Sequence, residues 1–195
     1  MTEHYYDEEN HRYYVGGVEK PSVTEIAKPI SFQRLDALQK HLVEKARERG
    51  QRCHELFEQY LLLGELDPEE IETEHFPYVQ QFVLWAKAYR PKVLFTEKKL
   101  YGEDFCGTAD LICIIDGKLI IVDYKVTSAI DKKSLSVQLE GYYRLCKKLG
   151  LEIDECYFLH IKKDSYVFKP IKRDAEWFDM LLFHNNKMRG KYDGK

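Results

Sequence analysis

Residues 106–127 read CGTADLICIIDGKLIIVDYKVT, two apolar runs joined by Asp116-Gly117, each carrying one carboxylate, Asp110 and Asp123. Asp-Gly between such runs is a strong hairpin signal, because both central residues of a type I′ turn need positive φ. A two-residue turn sets Ile115 opposite Lys118. Continuing the antiparallel ladder brings Cys113 opposite Ile120 and Asp110 opposite Asp123. Like charges facing each other about 5 Å apart destabilise a sheet, so something positive should lie between them. Lys125 projects from the same face as Asp123. A lysine ammonium and a divalent cation are both candidates. A three-residue turn or a bulge would break this register, and a solvated surface ion cluster is the plainer alternative. The apolar neighbours on both faces favour a central strand pair instead.

Upstream, HRYYVGGVEKPSVTEI predicts a short hairpin turning at Gly16-Gly17, then a helix capped by Ser22 or Thr24. Residues 32–48 and the run ending at Gly64 are helical in composition, either one bent helix interrupted at Gly50 or two helices. The acidic run ELDPEEIETE predicts a solvated loop with a short helix starting at Asp67-Pro68. Tyr78, Phe82, Trp85 and Tyr89 mark an amphipathic helix from Pro77 to Tyr89, its stripe assigned to the core. After Pro91 the composition becomes that of strands: KVLFTEKKLY, GTADLICII and KLIIVDYKV. A helix from about Asp131 to Leu149, closed by Gly150, two strands around KKDS, and a helix over about 174–185 complete the order, with KMRGKYDGK as a loose tail. This order gives an α/β sandwich around a mixed sheet.

The chain has 195 residues, 44% of them hydrophobic, enough for one well-formed core. The expected organisation is a single domain over 1–195: an N-terminal hairpin and helices over 1–90, a sheet core over 91–170, and a C-terminal helix and tail over 171–195. A net charge of −3 excludes coating nucleic acid by bulk charge and requires a local basic surface for such binding. The cysteines at 53, 106, 113, 146 and 156 contain no CxxC pair and are odd in number. They read as reduced, buried thiols of a cytoplasmic protein. MTEHYYDEEN has no signal-like apolar segment, and no run reaches the ~18 apolar residues of a membrane span.

GTAD with Asp110, DYK with Asp123 and Lys125, and QLEGY with Gln138 and Tyr142 together resemble the RecB-like exonuclease branch of the PD-(D/E)XK nuclease superfamily. GQRCH, with Gly50 and His54, resembles the helix that supplies a metal-binding histidine in that branch, and PSVTEI resembles a segment of small phage-type members. The resemblance spans roughly residues 21–143. It implies a restriction-endonuclease-like core, a mixed central sheet flanked by helices with an N-terminal helical region. It also implies a site of Asp110, Asp123, Lys125, Gln138 and Tyr142. Mg²⁺ or Mn²⁺ would be held by His54, Asp110, Asp123 and the backbone carbonyl of Tyr124. Glu97 matches an acid often seen on the preceding strand, and an edge-strand salt bridge explains it equally well. The cysteine-bound iron–sulfur cluster of some relatives is not expected, since only Cys156 follows the Q-x-x-x-Y helix.

These residue types suit phosphodiester cleavage, which needs an activated water, neutralisation of growing charge, and help for the departing oxygen. Hard oxygen ligands suit Mg²⁺ or Mn²⁺. The implied activity is metal-dependent exonuclease action on single-stranded DNA or DNA ends, in recombination, repair or phage DNA processing. The alternatives are a structure-specific or restriction-like endonuclease, and a non-catalytic DNA-binding subunit that keeps the fold. DNA is the expected partner, with QKHLVEKARERGQR and the segment from Lys162 onward as basic candidates to line its path, and a recombination or replication protein as a further partner. No membrane partner is expected.

Overall fold

The computed structural model describes residues 3–30 and 37–192. Its centre is a five-stranded sheet in the order β4 (Lys92–Tyr101), β5 (Cys106–Ile115), β6 (Lys118–Lys125), β7 (Glu155–Ile161), β8 (Tyr166–Pro170). The hairpin that opens the sequence is present as β5 and β6. Asp116 and Gly117 both have positive φ, +51° and +78°, and Ile115 pairs with Lys118 and Cys113 with Ile120. The two-residue turn therefore holds. β6 and β7 are parallel and the other pairs antiparallel, so the sheet is mixed. The parallel pair needs a crossover, supplied by α4 (Lys132–Lys148), whose N-terminus is capped by Asp131 accepting from the Lys133 and Ser134 N–H groups.

Helices cover both faces, which explains why β5 and β6 are apolar on both sides. On one face, Val23 and Ile26 of α1 (Val23–Ala27), Leu135 and Leu139 of α4, and Phe178 of α5 (Ala175–Tyr192) pack with Ile112 and Ile121. On the other, Leu56 and Phe57 of α2 (Ala37–Leu63) and Phe82 and Trp85 of α3 (Phe76–Tyr89) pack with Cys113, Ile120, Val122 and Tyr124. The α3 stripe is thus core: the Phe57 and Phe82 rings stack at 4.1 Å. This is the mixed, helix-flanked α/β architecture expected of a restriction-endonuclease-like core.

Four local expectations are refined. α2 is one continuous helix through Gly50, not two; the first residues of the expected run, 32–36, lie outside the described residues. Ser22, not Thr24, caps α1, in a capping box with Glu25. β1 (His4–Asp7), unread in the sequence, joins β2 (Arg12–Val15) and β3 (Val18–Lys20) in a small separate sheet whose β2–β3 turn is at Gly16-Gly17. The expected loose tail is helical to Tyr192, with 193–195 outside the described residues. A tertiary contact overrides its weak local signal, since the Arg189 guanidinium donates to Glu19 of β3 at 2.8 Å.

Gly50 sits mid-helix with open space where a Cβ would stand. Gly50→Ala should stabilise the protein by about 0.5–1 kcal/mol, because glycine loses more backbone entropy and alanine meets no clash. A thermal melt should rise by about 1–4 °C; an unchanged or lowered midpoint would show that the glycine is needed there.

Candidate active site

Most of the candidate residues lie where β5 and β6 part. Their ladder ends at Leu111–Val122, after which β5 stays with β4 as far as Cys106–Tyr101, while β6 continues along β7 to Lys125–His160. This corrects one expectation: Asp110 and Asp123 are not ladder partners. The Asp110 carboxylate instead reaches across and accepts a hydrogen bond from the Tyr124 main-chain N–H at 2.6 Å, replacing the strand bond that the fork gives up. The facing of β5 also changes here. Ala109 packs toward α1 and α4, whereas Leu111 and Cys113 pack toward α2 and α3. Asp110 lies at the crossover between the two sides.

Glu97 explains part of this distortion. Thr96 pairs with Leu111 and Lys98 with Ala109, leaving Glu97 and Asp110 between two ladder pairs. Glu97 adopts φ +44°, a left-handed conformation that costs a non-glycine residue of the order of 1 kcal/mol. Its carboxylate thereby lies 3.4 Å from His54 Nδ1, and Asp110 Oδ1 lies 3.7 Å from the same nitrogen. One ligand atom from each of His54, Glu97 and Asp110 falls within 4.8 Å of the others. Glu97, for which an edge-strand salt bridge is an equal explanation in the sequence, is therefore gathered with Asp110 and His54, and no sequence pattern marks its left-handed backbone.

Asp123 and Lys125 occupy the other side of the fork. By strand alternation they share the face of Ile121, toward α4. Lys125 Nζ lies 2.5 Å from Asp123 Oδ2. Of the two candidate neutralising groups, the lysine is in place. Tyr142, on α4, is buried with its ring against Gly107, where any Cβ would come within 2.9 Å of the ring. Its phenol is pushed well up by burial, then by the Asp123 and Asp110 charges, so it keeps its proton. Gln138 lies on the same helix one turn earlier, but its amide donates to Ser134 Oγ at 3.3 Å, and no hydrogen bond joins it to the acids or Lys125 among the described residues. Tyr124 enters through its N–H and through its ring, which meets the edge of His54 at 5.4 Å.

The electrostatics follow from burying several charges together. Burial raises Asp110 despite nearby His54, and burial raises Asp123 to about 6 although Lys125 and His54 oppose it. Burial pulls His54 down, but Asp110 and Glu97 outweigh it, and its value is raised. Lys125 behaves likewise, with Asp123 and Asp110 overcoming burial, and stays charged. A cation fits this set. Glu97 Oε1 and Asp123 Oδ2 are buried without an aligned hydrogen bond, the Lys125 contact being close but poorly directed. Carboxylates with one imidazole are suitable donors for a divalent metal.

The raised acid and the raised histidine both make the metal-free fold more stable as pH falls. Each contribution is complete below the unfolded value, about 3.8 for Asp and 6.5 for His, and is lost as pH rises through the folded one. In chelator, the protein should therefore gain on the order of 2 kcal/mol between pH 7.5 and pH 5. Asp123→Asn should shrink that gain. Chemical denaturation at the two pH values measures it, and a stability that falls on acidification in this window would contradict the assignment.

No protein-family model matches the chain, and no curated protein matches it. Among solved structures, a phage related exonuclease from Haemophilus somnus 129PT is 14% identical, with a TM-score of 0.39 over 83% of this chain and 88% of that one. The protein SSO0001 is 15% identical, with a TM-score of 0.39 over 70% of this chain and 71% of that one. At that depth neither likeness carries an argument.

Proposed function

We propose that the protein is a metal-dependent deoxyribonuclease that hydrolyses phosphodiester bonds at DNA ends or in single strands. The observation that supports this most is the meeting at one strand fork of His54, Glu97 and Asp110 from one side with Asp123, Lys125 and Tyr142 from the other. His54, Glu97, Asp110 and Asp123 would hold Mg²⁺ or Mn²⁺, with the Tyr124 carbonyl as a further ligand. Such a cation would lower the pKa of a water bound to it and would offset charge that develops on the phosphate.

The remaining work falls to side chains of this chain. Glu97 and Asp110 flank His54 Nδ1 and fix the orientation of its ring. Lys125, kept charged by Asp123 and Asp110, can turn its ammonium toward a non-bridging phosphate oxygen and stabilise the negative charge that builds there. Tyr142, kept protonated within the field of the same acids, is a hydrogen-bond donor whose hydroxyl pairs with Thr24 in the free protein and would have to leave it to reach substrate. Gln138 would have to release Ser134 to contact substrate or water. The aromatic packing of Tyr124 with Phe57, Phe82 and Trp85 keeps the α2 side of the fork dry and rigid, which strengthens every charge interaction within it.

Digestion of 5′-labelled, 3′-labelled and circular DNA with Mg²⁺ or Mn²⁺ tests the proposal. Linear DNA should be degraded and circles should persist; cut circles would instead indicate an endonuclease. Asp123→Ala should reduce the rate by at least a factor of about a hundred, since it removes a metal ligand and releases Lys125. If the purified protein leaves all substrates intact and the substitution changes nothing, the enzymatic assignment fails.

A further inference from the structure

Past the fork, β4 and β5 stay paired: Lys98 with Ala109, Lys99 with Thr108, Leu100 with Gly107 and Tyr101 with Cys106. Lys99 and Thr108 form the rung two residues beyond Glu97 and Asp110, about 7 Å along the strands. The two faces of this stretch differ. Leu100 and Ala109 are buried in the core under α1 and α4, and a Cβ at Gly107 would strike Tyr142 and Val23 of that core. Glu97, Lys99, Thr108 and Asp110 are only partly covered. Lys99 and Thr108 therefore project from the opposite face, the α2 side, on which the Glu97 carboxylate meets His54.

A closed set of contacts holds Lys99 on this face. Its Nζ lies 5.3 Å from the centre of the Tyr6 ring. Tyr6 and Tyr13 are cross-strand partners on the inward face of the N-terminal sheet, with ring centroids 4.7 Å apart. The Tyr13 hydroxyl shares a 2.7 Å hydrogen bond with Thr108 Oγ1, and Thr108 is the ladder partner of Lys99. The Tyr6 phenol is raised by burial, then by Glu8 and by Glu97, so its ring lies within the field of an acid of the candidate cluster. Of the two lysines beside the acids on β4 and β6 that could face a phosphate there, Lys125 is matched by Asp123. Lys99 forms no ion pair among the described residues, and its contact with a ring face leaves its N–H donors open.

We propose that Lys99 binds the substrate phosphate next to the scissile one. The assignment rests on the nuclease function proposed above and adds the contact that fixes where the strand lies. With the scissile phosphate at His54, Glu97 and Asp110, Lys99 stands two strand residues further on, a separation comparable to that of neighbouring phosphates along an extended strand. A lysine ammonium is a compact point charge on a flexible stem, which suits one non-bridging oxygen without demanding a fixed base or sequence. Tyr6 is a positioning residue: its ring supports the ammonium, and Tyr13 ties that ring to Thr108 on the floor of the site. Lys98, the neighbouring cation, projects from the other face over the Phe95 ring and takes no part.

The test is steady-state digestion, with Mn²⁺, of labelled oligothymidylates in which one linkage at a time, counted from the scissile bond, is a neutral methylphosphonate. For the parent, KM should rise about tenfold when the linkage next to the scissile one is neutral, the loss of one charged contact. Lys99→Ala should raise KM to the same degree on unmodified DNA with kcat kept, and should show no further loss when that linkage is neutral. It should also lower the slope of log KM against log salt by about 0.7, one single-strand phosphate contact. Lys99→Arg, which keeps the charge, should restore most of the affinity. Lys98→Ala, which removes the adjacent charge from the other face, should match the parent. Tyr6→Leu should raise KM in part, whereas Tyr6→Phe, which keeps the ring, should not. Melting curves confirm that each variant folds. A parent indifferent to the neutral linkage, a Lys98→Ala loss equal to that of Lys99→Ala, or a Lys99→Ala loss that multiplies with the neutral linkage overturns the assignment. So does a Lys99→Ala fall in kcat with KM unchanged. In each of these outcomes the parent still digests DNA and the nuclease function stands; a parent that digests nothing removes both.

Discussion

The short hydrogen bond from the Tyr124 N–H to the Asp110 carboxylate holds open a gap in the sheet without leaving its edges unsatisfied. A strand pair that simply ended in the middle of a buried sheet would orphan main-chain groups at a cost of about 1–3 kcal/mol each. Here a side chain takes the place of the missing strand bond, and because it is ionisable it brings charge into the gap. β5 leaves with β4, β6 leaves with β7, and the space between them is lined by groups from both.

The consequence is a site reached from both faces of the sheet. In an unbroken sheet, His54 on α2 and Tyr142 on α4 would be separated by the backbone layer, since α2 packs on one face and α4 on the other. The fork removes that layer locally. Asp110 sits at the crossover, with His54 and Glu97 on the α2 side, while Asp123 and Lys125 point toward α4. The left-handed backbone at Glu97 belongs to the same distortion: it swings one carboxylate of the neighbouring strand into the opening, at a cost that the ladder pairs above and below it offset.

Most of this sandwich is legible in the sequence because strong local signals agree with the global pattern. Asp116-Gly117 sets the hairpin, Asp131 and Gly150 bound the crossover helix, and the Tyr78–Phe82–Trp85 spacing marks a core face. The fork is not legible, because a ladder extrapolated from its turn carries no sign of where it stops. Extrapolation placed Asp110 against Asp123, whereas Asp110 bonds the residue after it. Glu97 has no local signature either, since a glutamate within a β-rich run gives no hint of positive φ. β1 escaped notice because HYYD is four residues long and acquires meaning only through its pairing with RYYV. The last turns of α5 depend on Arg189 reaching Glu19, a contact 170 residues apart that no window of sequence contains.

The placement of Lys125 bears on how such a site survives folding. Three carboxylates gathered in one opening, Asp123 buried and Asp110 and Glu97 partly so, repel and desolvate one another, and the raised values of Asp110 and Asp123 reflect that cost. Lys125 removes part of it by lying against Asp123, and His54 removes part by lying between Glu97 and Asp110. Both are held by side-chain torsions rather than by the backbone, and both sit at the rim of the two cores rather than within them. Lys125 can therefore turn away when a phosphate or a metal ion takes over its partner, and His54 would exchange its proton for a place among the ligands, while the strands that carry the acids stay where the two cores hold them.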